Sequence, residues 1–363
     1  MKKLLCLCLG LYLNHAAAAP HLELVKKHIS DFINMALITQ LFPLNDGGYI
    51  VQRYGHLVAR YDSNSELIKE IDLGTDNYIY QKGMQLKDGR IVFIDDSSMI
   101  SFYDMDLNKI SQVYVPREYL WAPCEINNGK LVFGTYNEEL MVVMNNEGKL
   151  TEIGNLGNHL RKTFCVDNQA MVMSENGTLS IVDLEQDEPK LIYQKDFNYI
   201  NKSISLKNQK LNFLTYEGLN IVDPKTFIEG FWPNDQIRQY DGVEYFSDGR
   251  YVLINTVRND QGNYDSKLQV YSKEGMVLGS AIQKKSGGTL ESQILIINDR
   301  YILTNHCSSD LVLYEMGNEL LEIDRITTKK LFCREGISID SENFVFEARG
   351  QNELEIYHLR LAN

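Results

Sequence analysis

The chain has 363 residues, 44% of them hydrophobic and 23% charged, and a formal net charge of −13. That length admits one large all-β domain or two ordinary ones, and the composition excludes a disordered chain. The charge argues against nucleic acid or an anionic membrane as a general partner, because both need a dominant positive field.

Residues 1–18 read as a secretory signal peptide, with a basic start (Lys2, Lys3), an apolar run over Leu4–Leu13 and small residues over Ala16–Ala19. The apolar run is well short of the ~20 residues that span a bilayer. Cys6 and Cys8 each follow a leucine and lie too early for lipidation. Cleavage before Ala19 removes two lysines and no acid, taking the net charge from −13 to −15. The remaining chain, 19–363, is expected to fold as one domain in the periplasm or outside the cell, without membrane insertion.

From there the sequence repeats. Lys87–Asp95 reads KDGRIVFID and Ser247–Asn255 reads SDGRYVLIN. Turn-like anchors recur at Asp46, Asp88, Asn128, Asn168, Asn208, Asp248, Asn298 and Ser341, with spacings of 42, 40, 40, 40, 40, 50 and 43 residues. An apolar run follows each anchor. A second strand then opens near Leu57, Met99, Leu140, Leu179, Leu219, Leu268, Leu311 and Leu354. In four units that strand ends on a hydrophobic residue and an acid: Tyr61-Asp62, Tyr103-Asp104, Val182-Asp183 and Val222-Asp223. Short β-runs broken by Asp, Asn and Gly turns are antiparallel strands. About 40 residues and four strands per unit, repeated eight times, predict an all-β, eight-bladed β-propeller, with seven blades as the alternative.

Within a unit, strand A precedes the anchor and strands B, C and D follow it. The eighth unit ends after strand C (LEIYHLRLAN), so an N-terminal strand is expected to close the last blade. His21–Ile29 is the candidate, although Val25, Ile29, Phe32, Ile33 and Ala36 also fit a helical stripe. In blade 6 an insertion, Arg258–Lys267, reads as a protruding hairpin rather than a calcium loop.

The unit resembles, at the superfamily level, the secreted bacterial propellers with PQQ-type or YVTN-type repeats. Quinoprotein dehydrogenases of that class carry a tryptophan motif in each blade; this chain has only Trp121 and Trp232, so neither a quinone nor any other cofactor is expected. The recurring Gly-His and Trp-Asp pairs of WD repeats are also missing.

Candidate site residues cluster in the D–A connections, which share one face with the B–C loops. Lys82, Lys162 and Lys202 each lie six residues before an anchor. Arg117, Arg238 and Arg334 fall in the same connections, interleaved with Tyr119, Trp121 and Tyr240. A basic, aromatic rim suits an acidic peptide, a carboxylate or a phosphorylated ligand. Acids in the B–C loops, among them Glu138, Glu139, Glu175 and Asp310, offer the opposite reading, a face neutralised internally.

Cys124 and Cys165 occupy matching places on strands A of blades 3 and 4, and Cys307 and Cys333 approach each other between blades 7 and 8. An oxidising compartment permits Cys124–Cys165 and Cys307–Cys333 disulfides; buried thiols are the alternative. No metal spacing, nucleophile elbow or nucleotide loop is present, so no catalytic or metal-binding residue is nominated. The expected function is a non-enzymatic binding or scaffold module, a monomer or one member of a hetero-complex, that holds a protein or peptide partner. The alternative is a lactonase-like hydrolase or lyase with its site at the central channel.

Overall fold

The repeated anchor is a local device. In the computed structural model Gly47, Gly89, Gly129 and Gly249 adopt φ of +82°, +91°, +81° and +91°. Their N–H groups donate to the carbonyls of Leu44, Leu86, Ile126 and Phe246 at 2.9–3.2 Å. The preceding anchor side chain accepts from the residue two positions on: Asp46 from Gly48, Asp88 from Arg90, Asn128 from Lys130, and Asp248 from Arg250, at 3.0–3.2 Å. An Asx turn with a left-handed glycine is what the Asp-Gly phrase encodes. In blades 5 and 7 two successive residues take positive φ instead, Asn208-Gln209 and Asn298-Asp299, as in two-residue hairpins.

The structure describes residues 20–30, 38–53, 57–73, 83–94, 98–117, 120, 123–135, 138–197, 200–215, 217–233, 242–261, 264–284, 293–305, 308–317, 319–332, 336–349 and 354–362. They form eight four-stranded antiparallel blades in a ring. Residues 1–18, the expected leader, lie outside the described residues. His21–Ser30 is a strand that pairs antiparallel with Leu354–Ala362 and closes blade 8. Blades 7 and 8 merge into one sheet through a 13-residue strand D in blade 7, Leu320–Phe332, whose Leu331 pairs with Arg349. The blade-6 insertion extends the hairpin of Tyr251–Arg258 and Tyr264–Tyr271.

Stacking supplies the core. Each of the eight seams between neighbouring blades holds its own hydrophobic cluster among the described residues. Strands B and C are therefore buried on both faces; Ile91–Ile94 and Leu131–Gly134 are buried throughout. Strand D faces solvent, as in Lys109–Tyr114. Apolar runs without alternation follow from this two-sided burial.

Polar stitches add to the seams on the face of the A–B and C–D turns. Asn45 N donates to Gln85 Oε1, Lys87 N to Glu125 Oε2, Asn127 N to the Asp167 carbonyl, and Ser247 N to Asp299 Oδ1, each at 2.7 Å. The residue just before the anchor thus binds the next blade in the ring. Gly48 serves a closer contact: a Cβ there would stand 2.4 Å from the Tyr61 carbonyl oxygen, which belongs to paired backbone. Gly48→Ala is expected to lower stability by about 1–3 kcal/mol, read as a lower urea midpoint at unchanged slope; an unmoved midpoint would refute this close approach.

Candidate functional site

The D–A and B–C connections share the face opposite the stitches. Much of the predicted rim falls outside the described residues: Lys82, Tyr119, Trp121, Arg238, Tyr240 and Arg334, and likewise Cys307 and Cys333. Arg117, Lys162 and the backbone of Lys202 are described.

Arg117 follows strand D of blade 2 and points into blade 3. Its Nε and Nη2 grip both oxygens of Glu152 at 2.9 and 2.6 Å, and Glu138 Oε2 stands 3.4 Å away. The fork geometry fixes the guanidinium. Hydrogen bonding to Arg117 holds the Glu152 carboxyl below the usual carboxylate range and raises the arginine in turn. Asp310, expected in a B–C connection, lies instead within strand C of blade 7, Ser308–Met316, where Arg325 and Thr327 Oγ1, at 2.8 Å, engage it. Part of this face is therefore neutralised within the chain.

The lysines are placed differently from their expected position ahead of strand A. Strands A of blades 4 and 5 span Leu160–Val166 and Ile200–Lys207, so Lys162 and Lys202 lie inside them, Lys162 opposite Met173 and Lys202 in the irregular stretch between Ile200 and Ile204. Lys162 is half-buried, and its Nζ lies 3.4 Å from the Ile204 carbonyl of the neighbouring strand A. Strands A of several neighbouring blades, 3–4, 5–6, 6–7, 7–8 and 8–1, lie against one another as the inner wall of the ring. Lys162 and the backbone of Lys202 thus belong to the wall and not to the loops above it.

Cys124 and Cys165 are joined by a disulfide across strands A of blades 3 and 4, with 5.6 Å between their Cα atoms. The matching register on neighbouring inner strands supplies the reach.

Sequence reasoning missed the polar knot at the ring closure. His358, fully buried on strand C of blade 8, contacts Ser65 Oγ of blade 1 through Nδ1 at 2.7 Å and Asn343 Oδ1 through Nε2 at 3.2 Å. Tyr49 OH donates to the same serine at 2.9 Å, and burial pushes that phenol up. The signal available was a histidine set between Tyr357 and Leu359 in the strand LEIYHLRLA. Arg60 was missed too: buried, it bridges Asp46 in its own blade at 2.6 Å and Asp106 of blade 2 at 3.3 Å.

Among the described residues, no three His, Cys, Asp or Glu side chains are grouped to hold a metal ion, and no helix is long and apolar enough to cross a membrane. No family model and no curated protein matches the chain. Solved structures do. BamB from Moraxella catarrhalis aligns with TM-score 0.64 at 13% identity, over 93% of this chain and 97% of its own. The dihydro-heme d1 dehydrogenase NirN aligns with TM-score 0.65 at 13% identity, over 89% and 75%. Streptogramin B lyase aligns with TM-score 0.53 at 11% identity, over 77% and 94%. Likeness at such identities speaks for fold alone. With the ring of eight blades, it places the chain among the β-propellers, the fold that the resemblance to PQQ-type and YVTN-type repeats implies.

Proposed function

We propose that the protein is an exported, non-enzymatic binding propeller that recognises a protein or peptide partner, acidic in character, through the face of its D–A and B–C connections. It acts as a monomer or as part of a hetero-complex, in the periplasm or outside the cell. The placement of Lys162 and Lys202 within adjacent inner strands, each six residues before its anchor, supports this reading. Lysines carried on a rigid wall meet acidic groups of a partner with little ordering cost on binding. Arg117 contributes less to recognition, because Glu152 and Glu138 already engage it. The disulfide supports export, since such bonds persist in oxidising compartments.

The fold likeness to streptogramin B lyase favours a second reading, a hydrolase or lyase working at the central channel. Stoichiometric divalent metal in the purified protein would support it.

The test is cross-linking of the protein in its native envelope, with mass spectrometry of what co-purifies. The native chain is expected to capture a discrete partner. The Lys82→Glu, Lys162→Glu, Lys202→Glu variant, once circular dichroism confirms its fold, is expected to lose that partner. Capture that survives all three reversals removes the basic rim as the recognition surface.

A further inference from the structure

On the opposite face, where the A–B and C–D turns lie, a cleft of about 520 Å³ opens between blades 5 and 6. That size suits a small organic ligand. One wall is the indole of Trp232, on strand D of blade 5, with Ile228 beside it, 69% exposed. The indole is held rigidly. Its Nε1–H donates to the Lys273 carbonyl of blade 6 at 2.9 Å. Two glycines make room for it: a Cβ at Gly230 would stand 3.0 Å from its Cζ3 and Cη2, and one at Gly275, where φ is +87°, would stand 3.1 Å from its Cδ1. An aromatic wall fixed in advance adds no ordering cost when a ligand binds.

The charge at the mouth has a sign. Every acid lining the cleft is already engaged. Asp223 accepts the N–H groups of Lys225 and Thr226 at 2.9 and 3.2 Å. Asp248 accepts from Arg250 N at 3.0 Å and Nε at 2.7 Å. Glu229 is taken by Tyr193 OH at 2.6 Å and by Lys195. The two lining lysines are held loosely. Lys210 stands 3.8 Å from Asp223, and Lys273 stands 3.7 Å from Glu274, with side chains 50% and 71% exposed. The most loosely held charges at the mouth are therefore the two lysines, each facing one acid at the limit of ion-pair distance.

We propose that this cleft binds a small aromatic anion, its planar apolar body lying against Trp232 and Ile228 and its carboxylate or sulfonate meeting Lys210 and Lys273. The site is independent of the basic rim on the other face. A neutral aromatic compound gains only the wall.

The probe is 8-anilinonaphthalene-1-sulfonate, titrated into the native protein after circular dichroism and a cooperative melt confirm its fold. Saturable binding of one equivalent is expected, with emission sensitised by tryptophan. Joint Lys210→Glu and Lys273→Glu reversal, at two surface positions, should weaken it about tenfold. Gly230→Val, which drives a side chain into the indole, should abolish it. N-phenyl-1-naphthylamine, the same ring system without the sulfonate, should bind the native protein about tenfold more weakly and ignore the lysine reversals. The proposal is overturned if no saturable binding occurs, if the lysine reversals leave the affinity unchanged, or if the uncharged compound binds as well as the sulfonate.

Discussion

A protein lacking residues 20–30 should lose its cooperative fold. The strand His21–Ser30 supplies the outer edge of blade 8 through nine register pairs, from His21↔Ala362 to Ser30↔Leu354. It also ties three blades together. Leu22, 8% exposed, packs into the cluster shared by blades 7 and 8, and its N–H donates to Asp324 of blade 7 at 2.5 Å. Lys26 pairs with Glu66 of blade 1. Lys27 pairs at 2.8 Å with Glu355, whose side chain is 7% exposed, and lies over the Tyr357 ring. With Lys27 35% exposed, losing this pair costs about 1 kcal/mol. Losing the buried Leu22 side chain adds about 1.5–3 kcal/mol, and each ladder hydrogen bond lost with the nine register pairs adds about 0.5–1.5 kcal/mol. The sum rivals the whole stability of an ordinary domain, about 5–15 kcal/mol. The truncated chain should therefore show no sigmoidal urea transition followed by tyrosine and tryptophan fluorescence. A synthetic His21–Ser30 peptide, added in excess, should restore part of that transition by mass action. If the truncated protein unfolds at the native midpoint, the closing strand is dispensable and the ring is held elsewhere. The gentler Lys27→Ala tests the pair alone: it should cost less than the deletion, and an unchanged midpoint would remove the pair from the account.

What the sequence disclosed was whatever each unit writes for itself. Turn chemistry is local, so all eight anchors prove to be A–B turns, and the acid ending strand C proves to be a cap. Asp62 accepts the N–H groups of Asn64 and Glu66, Asp104 that of Asn108, and Asp183 that of Glu185. The strand at His21–Ser30 could be anticipated because the last unit lacked a fourth strand, even though its local pattern fitted a helix equally well. Interactions between units were far less legible. Arg117, Glu138 and Glu152 were all visible as charges, yet only packing decides that this arginine serves its own ring. Lys162 and Lys202 read as loop residues because the anchor marks where strand A ends and not where it begins. The extension of Leu320–Phe332 into blade 8, the knot around His358 and the indole between Gly230 and Gly275 each depend on the geometry of two adjacent blades. No local propensity encodes them.

The Cys124–Cys165 bond is a between-unit interaction that register alone made legible, and its loss should have the second largest effect. It joins residues 41 apart in sequence, and closing a loop of that length in the unfolded chain corresponds to about 4 kcal/mol. The native state has reason to need it, because strand A of blade 3 is only Cys124–Glu125 and pairs with just two residues of strand B. At the same seam the turns add single hydrogen bonds, among them Asn127 to the Asp167 carbonyl and, at 3.3 Å, its carboxylate, and Asn128 and Lys130 to the Leu184 carbonyl, each at 3.3 Å. Cys124→Ala and Cys165→Ala should each lower the urea-derived stability by about 4 kcal/mol, and the double variant by little more, because either change removes the same bond. Dithiothreitol should lower the native protein by about 4 kcal/mol more than it lowers the double variant, in which any remaining drop reports on the expected Cys307–Cys333 pair. That comparison separates the bond from the packing of the two half-buried side chains, which the variants disturb and the reductant does not. A native protein indifferent to reductant would show that the bond does not form or contributes nothing. A drop on reduction would mean that the full stability of this propeller exists only where disulfides persist, so the titration that tests the seam also bears on whether the chain works outside the reducing cytosol.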